Sequence, residues 1–227
     1  CDSSGEMIVV QNGITIFTGT FSDDVKAVKD KFNNNIAEGD IFVFNDPHKS
    51  GTHLNDISVI KPIFSNSKIV AFAIADAHWA DIGGSVPGST SPQATDIYQE
   101  GLQLPGVKLF KSGVVQSDIV DIISANVRFE KMAIGDLNAE VASVNIAEKR
   151  IQEIIKKYGD KYLLASFEHL KNYGEKVACE RIKKMPNGIY SVSDLIDGDG
   201  FDEAQIPINL KMSIKDQEII FDFSGTA

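Results

Sequence analysis

Cysteine is nearly missing from this chain, with two in 227 residues and one of those at position 1. That excludes a disulfide framework and fits a reducing compartment. Positive charge is short as well. Lys+Arg number 22 against 32 Asp+Glu, a formal charge of -10 with no basic patch to offset it. Such a chain repels phosphate backbones and anionic headgroups, so the expected partners include no nucleic acid and no membrane. Long apolar runs are absent too. The longest, "IVAFAIA" at 69–75, is far shorter than the roughly 20 residues a membrane-spanning helix needs, and no basic region with an apolar stretch opens the chain. The expected location is cytoplasmic. Starting on Cys1 instead of Met, the sequence reads as a fragment of something longer.

What is present suffices for a large core, with 43% hydrophobic and 24% charged residues. "EMIVVQNGITIFTG" predicts a hairpin over 6–17 turning at Asn12-Gly13. Ser22 is expected to cap a short helix with an acidic first turn, and "GDIFVFNDP" predicts a strand over 41–45. Two further strands, 57–64 and 68–76, are joined by Ser65-Asn66-Ser67 and predicted to pair antiparallel. Residues 83–108 are dense in Gly, Pro, Ser and Thr, which reads as a long ordered loop or a mobile lid. From 117 to 185 the pattern turns helical. Leu137, Val141, Val144, Ile151, Ile154 and Tyr158 mark one helix, Gly159 its end, and Leu163, Phe167, Leu170, Val177 and Ile182 a second. Strict alternation from Ile206 to Ile214, then "EIIFDFSG", predicts a half-buried antiparallel pair. The expected fold is α+β, a mixed and largely antiparallel sheet with a helical hairpin packed on it. The expected regions are 1–115 for the sheet and site, 116–186 for the helices and 187–227 for a β hairpin.

The chemistry concentrates in two segments. "NDPHKSGTHLND" at 45–56 holds two of the four histidines, two aspartates and a Gly-Thr hinge, and "DAHWADIGG" at 76–84 adds His78 between two more aspartates. A hairpin centred on Asn66 makes paired numbers total about 132, which puts position 79 opposite His53 and returns His78 to the same end of the strand pair. His53, Asp56 and His78 then converge. Two imidazoles and a carboxylate suit a divalent ion such as Zn, Mn or Fe, and three protein ligands leave positions open for water and substrate. Asp46, Asp76 and Asp81 are placed to orient the rings. The plainer reading remains open: aspartates before turns cap backbone amides, and a histidine beside Trp79 can be a packed core residue.

"FVFNDPHKSGTHLNDISVIKPIF", "AHWADIGGSVPGS", "ATDIYQEGLQLP" and "DFSGTA" closely resemble the hydantoinase B/oxoprolinase family, which includes the B subunit of N-methylhydantoinase, part of 5-oxoprolinase and the alpha subunit of acetone carboxylase. The resemblance runs in order along essentially the whole chain. It implies an ATP-dependent system. An A-type partner subunit uses ATP to phosphorylate a carbonyl or enol oxygen, and the B-type chain completes ring opening or carboxylation in a hetero-oligomer. It also implies that the positions of His53, Asp56 and His78 hold a catalytic metal, manganese in the acetone carboxylase branch. His48 and Lys49-Ser50 depart from the Tyr and Arg-Gly common in the family, and members extend beyond both ends of this chain.

Glu100, in "YQEGLQLP", and Asp81 are the candidate catalytic carboxylates. Glu100 acts as acid or base if the loop folds over the metal, and as an ordinary backbone-bonding residue otherwise. "GGSVPG" at 83–88 lacks the strand, Lys and helix of a nucleotide loop, so no ATP site of that type is expected here. His169 and Cys179 fall on the second helix and are expected to be solvated and unreactive, and Arg128 and Asp136 to tie elements together. Three functions follow. The chain is a metal-bearing hydrolase subunit opening cyclic amides such as hydantoin or 5-oxoproline, or a subunit of an acetone or ketone carboxylase, or a non-catalytic scaffold for the partner.

Overall fold

A computed structural model describes residues 1–11, 13, 15–33, 35–49 and 53–227. It divides into two compact units, Cys1–Phe167 and Glu168–Ala227, with the division falling inside the second long helix.

The first unit is built on a five-stranded sheet. Its strands are β1 (Ile41–Phe44), β2 (Asp56–Ser65), β3 (Lys68–His78), β4 (Val107–Lys111) and β5 (Val114–Val115), in the spatial order β3-β2-β1-β4-β5. All named pairings are antiparallel. β2 and β3 are the neighbours the Ser-Asn-Ser turn predicted. Pro62 lies within β2, an interior strand, where a missing N–H usually breaks the ladder. The exception is geometric. β1 pairs with β2 only from Ser58 to Ile60, so Pro62 sits where β2 has outrun β1 and no donor is needed.

Alternation along the strands makes two faces. One packs Val43, Ile57, Val59, Ile63, Ala71 and Ala73 against α2 (Ser117–Asn126), α3 (Glu130–Tyr158) and the first turns of α4 (Asp160–Ile182). α3 contributes Ala133, Leu137 and Val144 at three- and four-residue spacing, and α4 contributes Leu163 and Phe167. Each large side chain buried here stabilises the fold by about 1.5–3 kcal/mol. The other face packs Phe42, Phe44, Ile60 and Phe72 against Val25 and Val28 of α1 (Phe21–Phe32).

The predicted hairpin over 6–17 is not formed. Residues 6–11 have no regular structure and Thr15–Gly19 is a 3-10 turn, while Asn12 lies outside the described residues. The Asp2 carboxylate accepts from the amides of Ser4, Gly5 and Glu6 and curls the start of the chain. A strand-like sequence without a partner strand gains nothing from its propensity. The cap also moves. α1 begins at Phe21, one residue before Ser22, and its Asp23 and Asp24 amides reach the Thr20 carbonyl.

The second unit holds the rest of α4 and an antiparallel sheet of β6 (Gly188–Ile196), β7 (Ile206–Lys215) and β8 (Glu218–Asp222). The β7–β8 pair was expected and β6 was not. Ile214 is buried, whereas Ile189, Val192, Leu195, Ile220 and Phe221 are exposed.

Candidate metal centre

Where β2 meets β3, pairing decides which side chains face each other. Paired numbers total 133 beside the turn and 134 beyond an irregularity at Ile63/Phe64, so Asp56, not His53, stands opposite His78. The turn itself is Asn66-Ser67, both with positive φ (51° and 62°), the two-residue form that matches strand twist. The sequence estimate of 132 treated the turn as three residues and could not see the irregularity.

The three candidate ligands nonetheless meet. Asp56 Oδ1 lies 2.6 Å from His78 Nδ1, and Asp56 Oδ2 accepts from the His53 backbone N–H at 2.9 Å. The His53 and His78 rings stand edge to face with centroids 5.6 Å apart. The Asp56 side chain is 3% exposed and that of His78 is 44% exposed, so a buried carboxylate presents open imidazoles. The Gly51-Thr52 hinge lies outside the described residues. Among the described residues, no group of three or more His, Cys, Asp or Glu side chains has its donors spaced to share an ion. Asp56 spends both oxygens on holding His78 and the backbone of His53.

Behind Asp56 runs a second polar string on the α1 face. The Ser58 hydroxyl lies 2.8 Å from Asp24 Oδ2 and 2.7 Å from Asp76 Oδ2. A hydroxyl has one proton to donate, so both contacts are satisfied only when one carboxyl carries a proton. Burial, with Asp24 and Asp56 adding their charge, pushes Asp76 up to about 7 against the Ser58 bond and His78. Asp76 Oδ1 is buried with no hydrogen-bond partner among the described residues.

The other candidates lie elsewhere. Asp81 accepts from the amides of Gly83, Gly88 and Arg128 and pairs with the Arg128 guanidinium at 2.9 Å. Burial raises its carboxyl, but these donors outweigh burial and hold it below the usual range. Arg128 also donates to the Gly83 and Gly84 carbonyls, so the pair is a clamp on the loop that follows β3. Asp46 accepts from the His48 amide. Glu100 ends the 3-10 turn Ile97–Gln99 and makes no hydrogen bond or ion pair with His53, Asp56 or His78. Around it Ser85 donates to the Gln99 carbonyl and Leu102 to that of Ile82, so the segment is strapped down by backbone ties. A Cβ on Gly84 would come within 2.5 Å of the Gln99 oxygen, which is why glycine stands there. A cavity of about 790 Å³ reaches His78 along the outer edge of β3, and neither His53, Asp56 nor the 83–105 loop lines it.

One buried group escaped sequence reading. Glu140, on the sheet-facing side of α3, is 5% exposed. Its Oε2 accepts from Trp79 Nε1 at 3.1 Å, while Oε1 has no hydrogen-bond partner among the described residues. Burial pushes the carboxyl up to about 9 despite the Trp79 bond, with Asp76 and Asp136 adding to the shift. Its signal was positional: Glu140 occupies the apolar stripe between Leu137 and Val144.

The chain is thus an antiparallel α+β fold that sets two exposed histidines over a buried aspartate at the end of a strand pair. The chain belongs to the hydantoinase B/oxoprolinase family, whose model matches residues 1–227. It is 37% identical over 227 residues to an uncharacterized protein of Methanocaldococcus jannaschii, covering 99% of this chain and 40% of that protein. It is 33% identical to the B chain of a putative D-/L-hydantoinase from a Pseudomonas species, covering 89% of this chain and 35% of the relative. The crystal structure of ATP-dependent caprolactamase from Pseudomonas jessenii superposes with a TM-score of 0.82 at 30% identity, over 89% of this chain and 35% of that one. The chain thus spans well under half the length of these relatives. No described helix is long and apolar enough to cross a membrane.

Proposed function

We propose that this chain carries the metal centre of a B-type subunit that, with an ATP-using A-type partner, opens cyclic amides of the hydantoin or 5-oxoproline kind. The observation that carries the reading is the meeting of His53, Asp56 and His78 at one end of the β2–β3 pair, two imidazoles 5.6 Å apart over a buried carboxylate. The names of the relatives, a hydantoinase and a caprolactamase, support the substrate class.

By residue type His53, Asp56 and His78 would suit a borderline divalent ion, Mn, Zn or Fe, although their donors as they stand here are not spaced to share one. When bound, such an ion polarises a carbonyl and makes hydroxide available near neutral pH. The chain's own residues prepare for that. Asp56 fixes the orientation of the His78 ring through Nδ1, which leaves Nε2 as the free nitrogen. It also ties the backbone of His53 to the same point, so both imidazoles depend on one buried carboxylate. The Arg128–Asp81 clamp keeps the following loop in place beyond β3.

The test is product formation by the full-length protein with its partner, ATP and hydantoin or 5-oxoproline, alongside elemental analysis, for wild type and His78→Ala. The expected result is a loss of ring opening by about 100-fold or more together with a fall in bound metal, while the partner keeps its nucleotide binding. Wild-type turnover in the variant overturns the reading in favour of a scaffold. Incorporation of labelled bicarbonate in place of ring opening replaces the hydrolase with a ketone carboxylase.

A further inference from the structure

β3 is an edge strand, and residues 7–11 border the same cavity of about 790 Å³ that runs along its outer edge. Near the turn that edge is covered, where the Phe72 amide donates to the Cys1 carbonyl at 2.9 Å and Asp2 bridges Ala71. Backbone directions alternate along a strand, so Ile74 and Asp76 turn their N–H and C=O to the same outer side as Phe72. The phase agrees at the far end, where the Trp79 amide donates inward to the Asn55 carbonyl. Among the described residues no backbone hydrogen bond reaches Ile74 or Asp76 from that side, and none ties residues 7–11 to them. The cavity is walled by apolar groups, among them Ile8, Ala75, Ala147 and Ile151. Asp76 and His78 border it toward the far end of β3, and no Lys or Arg among the described residues lines it. Its size falls in the range of small-molecule sites, about 300–1,000 Å³.

We propose that this cavity is the substrate pocket, and that it takes a neutral cyclic amide with an apolar ring or side group, held by its amide edge against the backbone of β3 at Ile74 or Asp76. A small ring forces its amide cis, so the N–H and C=O lie side by side. That is the pattern in which two opposed strand residues exchange both their hydrogen bonds. A single trans amide turns the two groups to opposite sides and satisfies only one of them. The apolar walls favour a hydrocarbon ring or substituent. A carboxylate on the ring would be buried near Asp76 with no Lys or Arg to meet it, which is costly. The pocket therefore prefers a hydantoin or a plain lactam to 5-oxoproline. The choice of a cyclic amide rests on the function proposed above, whereas the preference for a neutral one rests on the cavity itself.

The test is binding to the full-length protein without partner or ATP, so that it does not depend on turnover. ε-Caprolactam is expected to bind and to slow amide exchange in the β3 segment that holds Ile74 and Asp76. N-methylcaprolactam, which lacks the donor, should bind about tenfold or more weakly. 5-Oxoproline should lose at least as much. Ala147→Phe, which fills the cavity, should weaken caprolactam binding by about tenfold or more with the unfolding midpoint as a check on folding, and the ligand comparison in wild type stands without that variant. Exchange that is already slow without ligand and unaffected by it overturns the proposal, because the edge is then covered. Equal binding of the N-methyl compound, tighter binding of 5-oxoproline or no binding of the lactam overturns it as well. A lactam bound as expected but left intact by the complete complex overturns the ring-opening reading alone. Ring opening without these binding differences overturns the pocket alone.

Discussion

The two faces of the β2–β3 pair teach more by contrast than either does alone. On the α3 side Ile57, Val59, Ile63, Ala71 and Ala73 form a dry layer, and Lys61, the polar exception, is neutralised by Glu148 at 2.6 Å. On the α1 side the same strands, one residue out of phase, carry Asp56, Ser58, Asp76 and His78. Ile60, Phe72 and Ile74 hold that second face together farther from the site, so polarity is confined to one end. Stability and chemistry are therefore assigned to alternate residues of one hairpin, and a slip of one position would exchange them.

The sharpest way to break this division is from the dry side. Ile63→Ala removes a side chain that is 1% exposed, and the expected cost is about 2–5 kcal/mol in denaturant unfolding. The folded fraction should keep the metal content of the wild type. A variant that loses metal while folded shows that the faces are not independent.

Glu140→Gln probes a buried carboxyl on the dry side that has no ion pair among the described residues. An unfolded glutamate ionises near its usual value of 4.5 and the folded one only at about 9. The folded state therefore holds its proton more tightly, and this group's contribution is fully present below about 4.5 and lost as pH rises toward about 9. Glutamine keeps an oxygen for Trp79 and cannot ionise. The variant should match wild type near pH 4.5 and exceed it at pH 8 to 9, with Tm rising by about 2–4 °C for each kcal/mol gained. Equal melting temperatures across that range would falsify the assignment of a buried neutral carboxyl.

The smallest effect is expected at the turn that sets the register. Ser67 holds φ 62°, a conformation glycine adopts at no steric cost. Ser67→Gly should stabilise by about 0.5–1 kcal/mol in the same unfolding measurement, with no change in the register of Asp56 against His78. A destabilised variant would mean that the serine side chain, and not backbone geometry, maintains the turn.

How much of this could be read in advance differs element by element. The β2–β3 hairpin was legible because polar turn residues separate two apolar runs, and local chemistry decides a tight turn. α3 was legible from Leu137 to Tyr158 because a helix repeats its own signal. The 6–17 hairpin failed because Asn12-Gly13 announces a turn but cannot supply a partner strand. The relation of Asp56 to His78 missed by a small shift, because an irregularity at Ile63/Phe64 is a response to packing on both faces. Asp81 looked like a companion of His78 in sequence, yet its oxygens go to Arg128 and the glycine loop, 47 residues away in the case of Arg128. Glu140 and the Asp24–Ser58–Asp76 string bring together residues from α1, α3, β2 and β3, and no local pattern joins them.

By itself the sequence determined the antiparallel character of the hairpin, the long helices and the set of histidines and aspartates returned to one end of two strands. These depend on periodicity and turn chemistry, which act over a few residues. Only the tertiary structure decided which aspartate faces His78 and which carboxyls are buried, with burial pushing Asp76 and Glu140 above their usual range. Register, desolvation and pairing depend on what packs from elsewhere in the chain, and that is settled by the whole fold and not by any segment of it.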